Sequence, residues 1–175
     1  MILFDNVVKL RAIEEKDAEV LQEMINDPEI ESEVVGFSYP VSLSQQKKWI
    51  ENVTNSETIR YAIDVSNKMI GVASISSIDF KNRTANINIK LRKNEQGKGY
   101  ATRSVKLVLE YCFLELNMEC VTANVLEYNN ASKKIWEKLG FKLEGILRNR
   151  IYKNGKYHNL FAYSFLKNEF NERNW

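Results

Sequence analysis

Two glycines one residue apart, Gly97 and Gly99, form with Gln96 and Lys98 the segment of this sequence best suited to chemistry. The run Asn94-Glu95-Gln96-Gly97-Lys98-Gly99 lies where a strand with one polar face passes into a long helix. Glycine there lets the backbone turn tightly and come close to a ligand. The first amides of the helix lack partners within it, and the helix dipole makes that end positive. Together these suit a phosphate, with Lys98 and Arg103 adding charge. The plainer alternative is a glycine-rich turn that binds nothing. Other phosphate loops fit worse. A Walker loop requires glycine where Arg92 stands, and a dinucleotide fingerprint requires one where Thr102 stands.

Elsewhere the reactive side chains are scattered. Tyr128 and Tyr152 are spare hydroxyls, and Glu31, Glu33 and Asp79 are spare carboxylates, each expected to be structural or solvated. His158, the one histidine, falls in the last strand, where a surface or core-edge place is expected. Cys112 and Cys120 make neither a disulfide framework nor, with a single histidine, a zinc site, and read as free core cysteines. No metal is expected.

The elements that position the glycine run follow from periodicity. Val7 to Ile13 reads as an opening strand and Glu15 to Asn26 as a helix, with Ala18, Leu21, Met24 and Ile25 on one face and Pro28 just beyond. Glu29 to Pro40 reads as a loop. Ser42 or Ser44 caps a second helix through Val53, with Trp49 and Ile50 inward. Ile59 to Val65 and Met69 to Ile78 are strands about the turn Ser66-Asn67-Lys68. In Thr84 to Leu91, apolar Ala85, Ile87, Ile89 and Leu91 alternate with polar Asn86, Asn88 and Lys90, giving a two-faced strand. The helix after the glycines runs to about Leu116, with Ala101, Val105, Val108, Cys112 and Leu116 as its apolar stripe. Cys120 to Leu126 is a strand, Asn130 to Leu139 a helix stopped by Gly140. Phe141 to Tyr152 and Tyr157 to Leu166 form a hairpin about Asn154-Gly155. The order predicts a mixed α/β fold in one domain, with antiparallel strands feeding a crossover helix.

Composition bounds the rest. The chain has 175 residues, 44% hydrophobic and 27% charged, which suits one soluble domain with one core. No apolar run is long enough to span a bilayer, and Met1 to Arg11 lacks the parts of a signal peptide, so a cytoplasmic location is expected with no membrane partner. A net charge of +2 argues against nucleic acid. The distribution is uneven: Glu14 to Glu33 holds nine acidic residues against one lysine. Lys90 to Lys106 holds six basic residues against Glu95, and Lys133 to Lys156 eight against two. One end suits a cation and the rest an anion, unless these runs are simply solvated helix faces.

The segment Gln96-Gly97-Lys98-Gly99-Tyr100-Ala101 resembles the Gln/Arg-x-x-Gly-x-Gly/Ala signature of the GNAT acetyltransferases. Asn129-Asn130-Ala131-Ser132 with Trp136-Glu137-Lys138-Leu139-Gly140-Phe141 is similar to that family's second block, about thirty residues on and in the expected order. The likeness extends from Val8-Lys9-Leu10-Arg11, through Ile70-Gly71, to Tyr152-Lys153-Asn154-Gly155-Lys156-Tyr157. It looks most like the branch with RimJ/RimL-type protein N-terminal, spermidine and amino-sugar acetyltransferases.

The resemblance implies a mostly antiparallel sheet with helices on both faces, in which the strand before the glycine loop splays from a parallel neighbour. It implies acetyl-CoA as co-substrate, with the pantetheine arm in that gap. Ile89, Lys90 and Leu91 would offer backbone groups to the arm, and Gln96, Gly97, Lys98, Gly99, Tyr100, Ala101 and Thr102 would hold the pyrophosphate. Asn129, Ser132, Lys133 and Trp136 would flank the far side. Relatives are often dimers, so a homodimer is expected. Two positions depart from the pattern. The tyrosine that many relatives use as acid is Trp136 here, and their basic glutamate matches Asn86. Neither can do that proton chemistry, so no catalytic acid or base is assigned.

Acetyl transfer needs a neutral amine held at the thioester, a donor for the developing oxyanion and a proton for the thiolate. The expected function is therefore acetylation of a primary amine by direct attack. A polyamine, an aminoglycoside, a protein N-terminus or an amino sugar would serve as acceptor. The competing expectation, drawn from Trp136 and Asn86, is a module of the same fold that binds coenzyme A without turnover.

Overall fold

A computed structural model describes residues 1–55 and 57–171. The strands are β1 (Leu3–Phe4), β2 (Val8–Ala12), β3 (Ile59–Val65), β4 (Lys68–Asp79), β5 (Thr84–Leu91), β6 (Cys120–Leu126), β7 (Lys142–Lys153) and β8 (Lys156–Leu166). They form one sheet in the order β1-β2-β3-β4-β5-β6-β8-β7. Every pairing is antiparallel except β5 with β6. The helices are α1 (Ala18–Asn26), α2 (Pro28–Glu33), α3 (Leu43–Ile50), α4 (Tyr100–Glu110), α5 (Asn130–Leu139) and α6 (Lys167–Asn171).

The alternation of β5 decides which helices cover which face. Ala85 and Ile87 turn toward the main core with Leu10, Ile63 and Ile75 of β2, β3 and β4, and share it with Val105 and Val108 of α4 and Cys112 just beyond it. Trp136 and Leu139 of α5 complete that side. A smaller cluster of Ile13, Leu21, Val53, Ala62 and Met69 fills the opposite face beneath α1. Helices thus lie on both faces. Burial of the Cys112 thiol pushes its pKa up to about 12, so it is an inert core group.

Some local readings change. Glu29 to Pro40 is not all loop, because Asp27 accepts the amides of Glu29 and Ile30 while Pro28 opens α2. Ser42 caps α3 as expected, but α3 ends at Ile50. Ile50 packs inward as expected and Gln46 is buried, but Trp49 is exposed beneath the Arg60 guanidinium. The α-helix after the glycines continues from Glu110 into a π-helical turn over Tyr111–Glu115. Turns at Ser66-Asn67 and Asn154-Gly155 have the positive φ pairs of tight hairpins.

Among the described residues, no helix is long and apolar enough to cross a membrane. At the β2 end of the sheet, Arg11 joins Asp64 of β3 to Asp17 at the head of α1. It donates to Asp64 at 2.7 and 3.1 Å and to Asp17 at 2.7 and 2.8 Å.

Candidate active site

The parallel ladder between β5 and β6 is short. It runs through Thr84↔Cys120, Ala85↔Val121 and Asn86↔Thr122 and then stops, although both strands continue. From Ile87 onward β5 stays paired to β4 as far as Gly71↔Leu91, and β6 stays paired to β8 as far as Leu126↔Leu160. The two central strands therefore part company, and each leaves backbone groups of the intervening edge without a strand partner. Asn86 marks the last rung, donating to Thr122 Oγ1 at 3.0 Å and accepting from Asn88 at 2.9 Å.

Each parting strand leads into one block of predicted residues. After β5, a turn over Lys93–Glu95 brings the chain to Gly97 and Gly99, both in the left-handed region at φ +75° and +82°. A Cβ built on either would meet nothing within 4 Å. The protein's own packing thus makes no demand for glycine there; the backbone conformation does. The first intrahelical bond of α4 runs from the Arg103 amide to the Gly99 carbonyl at 3.2 Å. The amides of Tyr100, Ala101 and Thr102 precede it at the positive end of the helix. Gln96 folds back onto the Leu91 carbonyl at 3.4 Å, tying the loop to the end of β5. Lys98 and Arg103 stand half exposed, each paired to a carboxylate, Glu95 and Asp5.

After β6 the chain enters α5. Asn129 caps it by accepting the Ser132 amide at 2.9 Å, and its own amide group donates to the Glu33 carbonyl at 3.1 Å. Ser132 Oγ accepts the Trp136 indole N–H at 3.1 Å. Trp136 is 4% exposed and packs edge-on against Phe141, so it is a core side chain in this conformation. Lys133 donates to the Glu127 carbonyl and lies over the Phe161 ring. Ile89–Leu91, Gln96–Thr102 and Asn129–Lys133 thus flank the carboxyl ends of two separating parallel strands, where open α/β sheets accept ligands.

Several site features escaped the sequence reading. Lys153, at the end of β7, is buried and donates to both the carbonyl and the carboxylate of Glu31 at 2.7 Å. Burial lowers the Lys90 pKa; neighbouring Lys153 adds to the fall and Glu31 opposes it. His158 is 6% exposed with Nδ1 3.0 Å from Glu127, which holds that carboxyl below its ordinary pKa. Tyr128 packs edge-on against His158 and donates to the Ser32 carbonyl at 2.6 Å. These residues are distant in sequence, and no periodicity signals their meeting. Beside them lies a cavity of about 790 Å³ lined by Glu127, Tyr128, His158, Asn159 and Phe161, with Asn154 and Lys156 at the hairpin tip. The acidic run is partly answered internally, Glu23 by Arg92 and Glu29 and Glu33 by Lys93.

Residues 8–142 match the family described as the acetyltransferase (GNAT) domain. The chain belongs to the GNAT acetyltransferases. It is 30% identical over 162 residues to the SPbeta prophage-derived uncharacterized N-acetyltransferase YokL of Bacillus subtilis (strain 168), covering 92% of this chain and 90% of that one. It is 25% identical over 163 residues to the spermidine N(1)-acetyltransferase of Escherichia coli, covering 93% and 88%. The fold is shared with a crystal structure of spermidine N-acetyltransferase from Vibrio cholerae in complex with CoA and spermine. There the TM-score is 0.88 at 23% identity, over 96% of this chain and 100% of that one. This GNAT chain is accordingly an N-acetyltransferase, and the splayed β5–β6 pair lies within the matched segment.

Gly71 has no room for a side chain. A Cβ there would lie 2.3 Å from the Lys90 carbonyl oxygen and 2.6 Å from Leu91 Cδ2. A backbone carbonyl cannot swing away, so Gly71→Ala must push the end of β5 aside. Overpacking of this kind costs about 1–3 kcal/mol. A Tm lower by several degrees, with acetyl transfer reduced roughly tenfold by misplacement of β5, is expected from thermal melts and turnover assays. Unchanged turnover would mean that the end of β5 does not position substrate.

Proposed function

We propose that this chain, as a single GNAT domain, moves an acetyl group from acetyl-CoA to the primary amine of a cationic acceptor by direct attack. The observation that carries the reading is the gap between β5 and β6 opening onto the glycine loop and the free amides of α4. The gap suits the pantetheine arm beside Ile89–Leu91. The Gln96–Thr102 backbone suits the pyrophosphate, because left-handed glycines and unpaired N–H groups form a concave donor surface.

In this reading the neutral amine attacks the thioester carbonyl carbon, the carbon–sulfur bond breaks, and coenzyme A leaves as thiolate. The amine nitrogen loses a proton and the thiolate gains one. Asn86 cannot take a proton, and the buried Trp136 indole cannot give one, so positioning and backbone donors supply most of the rate. The acidic α1–α2 segment next to the site favours a cationic acceptor. Polyamines, aminoglycosides, protein N-termini and amino sugars are the candidate classes, and the names of the relatives put polyamines first.

Thiol release from acetyl-CoA, measured against spermidine, an aminoglycoside, short peptides with free N-termini and an amino-sugar nucleotide, tests this. Release well above background with a cationic amine is expected. A response only to the nucleotide would replace the cationic acceptor by an anionic one.

A further inference from the structure

The Glu31–Lys153 pair leaves one polar atom unaccounted for. Glu31 Oε2 takes the Lys153 ammonium at 2.7 Å, but Oε1 is buried without a hydrogen-bond partner. A buried carboxylate oxygen left unserved is costly, and the rest of the surroundings explains why it is tolerated. Glu31 belongs to α2, whose end is fastened to the carboxyl end of β6: Tyr128 donates to the Ser32 carbonyl and Asn129 to the Glu33 carbonyl. On the other side Lys153 fastens it to the β7–β8 hairpin. From β5, Lys90 lies close enough for Glu31 to influence its charge, and Lys90 is in the stretch that has left β6. Glu31 therefore stands over the open end of the gap. Tyr128, which holds the Ser32 carbonyl, and Asn154, next to Lys153 in the chain, both line the neighbouring cavity.

We infer that Glu31 is a specificity-determining residue for the acceptor, its free Oε1 receiving an N–H of a cationic amine held at the mouth of the β5–β6 gap. This rests on the amine-acceptor reading above. The cation that completes the carboxylate belongs to the substrate, and Lys153 holds the carboxylate in place from the other oxygen. An acceptor without a positive charge lacks the donor that this site needs.

The test uses the full chain saturated with acetyl-CoA and the amine turned over fastest by the unaltered protein. Glu31→Gln should raise the KM for that amine about tenfold or more, as for loss of one charge-assisted hydrogen bond, with kcat and the KM for acetyl-CoA little changed. Lys153→Met takes away a support of the carboxylate but not the substrate's own bond, so it should raise the amine KM clearly less than Glu31→Gln does. A purely structural strap predicts equal loss instead, because breaking it from either end would do the same harm. Equal loss in both variants therefore overturns the inference, as does an unchanged amine KM in Glu31→Gln. Should Glu31→Gln fold poorly with Lys153 left buried and unpaired, the double variant Glu31→Gln with Lys153→Met removes both charges and must still show the raised KM. Failure of the unaltered protein to acetylate any amine is a separate result. It would remove the amine-acceptor reading and this inference with it.

Discussion

Gly99→Val protein folds, but its affinity for acetyl-CoA falls by at least about 100-fold, the loss expected when two or more charge-assisted bonds to a phosphate are removed. The physical case has two parts. Gly99 sits at φ +82° as the residue before α4, and a β-branched residue is an outlier there. Holding the chain in that conformation costs about 1–2 kcal/mol, which a domain of this size survives with a modest drop in Tm. A Cβ there has open space around it, with nothing within 4 Å. The side chain stands where a phosphate would approach the amides of Tyr100, Ala101 and Thr102. Gly99→Ala separates the two parts: it carries the strain with less bulk and should bind acetyl-CoA better than the valine variant. Calorimetric titration with acetyl-CoA beside a thermal melt reads both quantities. Full affinity in Gly99→Val would mean that the pyrophosphate lies elsewhere.

The largest expected effect on stability comes from the opposite end of the sheet. Arg11 is 11% exposed, between Asp17 at 4% and Asp64 at 9%, and meets both carboxylates in a forked arrangement. Arg11→Met keeps the aliphatic bulk but leaves two buried carboxylates without their cation, a change that costs roughly 3–5 kcal/mol. For a chain of this length that is a Tm lower by on the order of 10 °C. The pH dependence follows from Asp17. Burial raises its pKa, but the Arg11 hydrogen bonds, the Glu14 amide and the Arg11 charge outweigh burial and leave it below the ordinary value. A carboxyl depressed in the folded state stabilises the protein above its unfolded pKa, about 3.9. That stability is lost as pH falls through the lower, folded value. Unaltered protein should thus show an acid-side loss of Tm that is smaller in Arg11→Met. Parallel acid profiles in the two proteins would assign the acid sensitivity to other groups.

Much of the frame was legible because it is encoded locally. The alternation of Ala85, Ile87 and Leu91 against Asn86, Asn88 and Lys90 marked β5, and Asn129 and Gly140 marked the ends of α5 by cap chemistry alone. The fold class needed only the order of such segments together with the motif likeness. Where local signals compete, the reading failed. Pro28 reads as the stop of α1, yet a proline suits the first turn of a helix equally well, and behind the Asp27 cap it opens α2. Trp49 and Ile50 read alike as inward apolar residues, but only Ile50 packs on the core, and the buried position of α3 is the polar Gln46.

The sequence by itself determined the strand, the left-handed glycine turn and the helix whose first amides lack helical partners, since each depends on residues near in the chain. It also determined that Asn86 and Trp136 carry no titratable proton for acetyl transfer, because that follows from their side chains wherever they lie. Only the tertiary structure decided that β5 and β6 part after Asn86↔Thr122, because strand pairing depends on what the rest of the sheet allows. Only it could bring Lys153 to Glu31 across 122 positions of chain and leave one carboxylate oxygen free. Contacts of that separation are set by topology and packing, and no short-range pattern carries them.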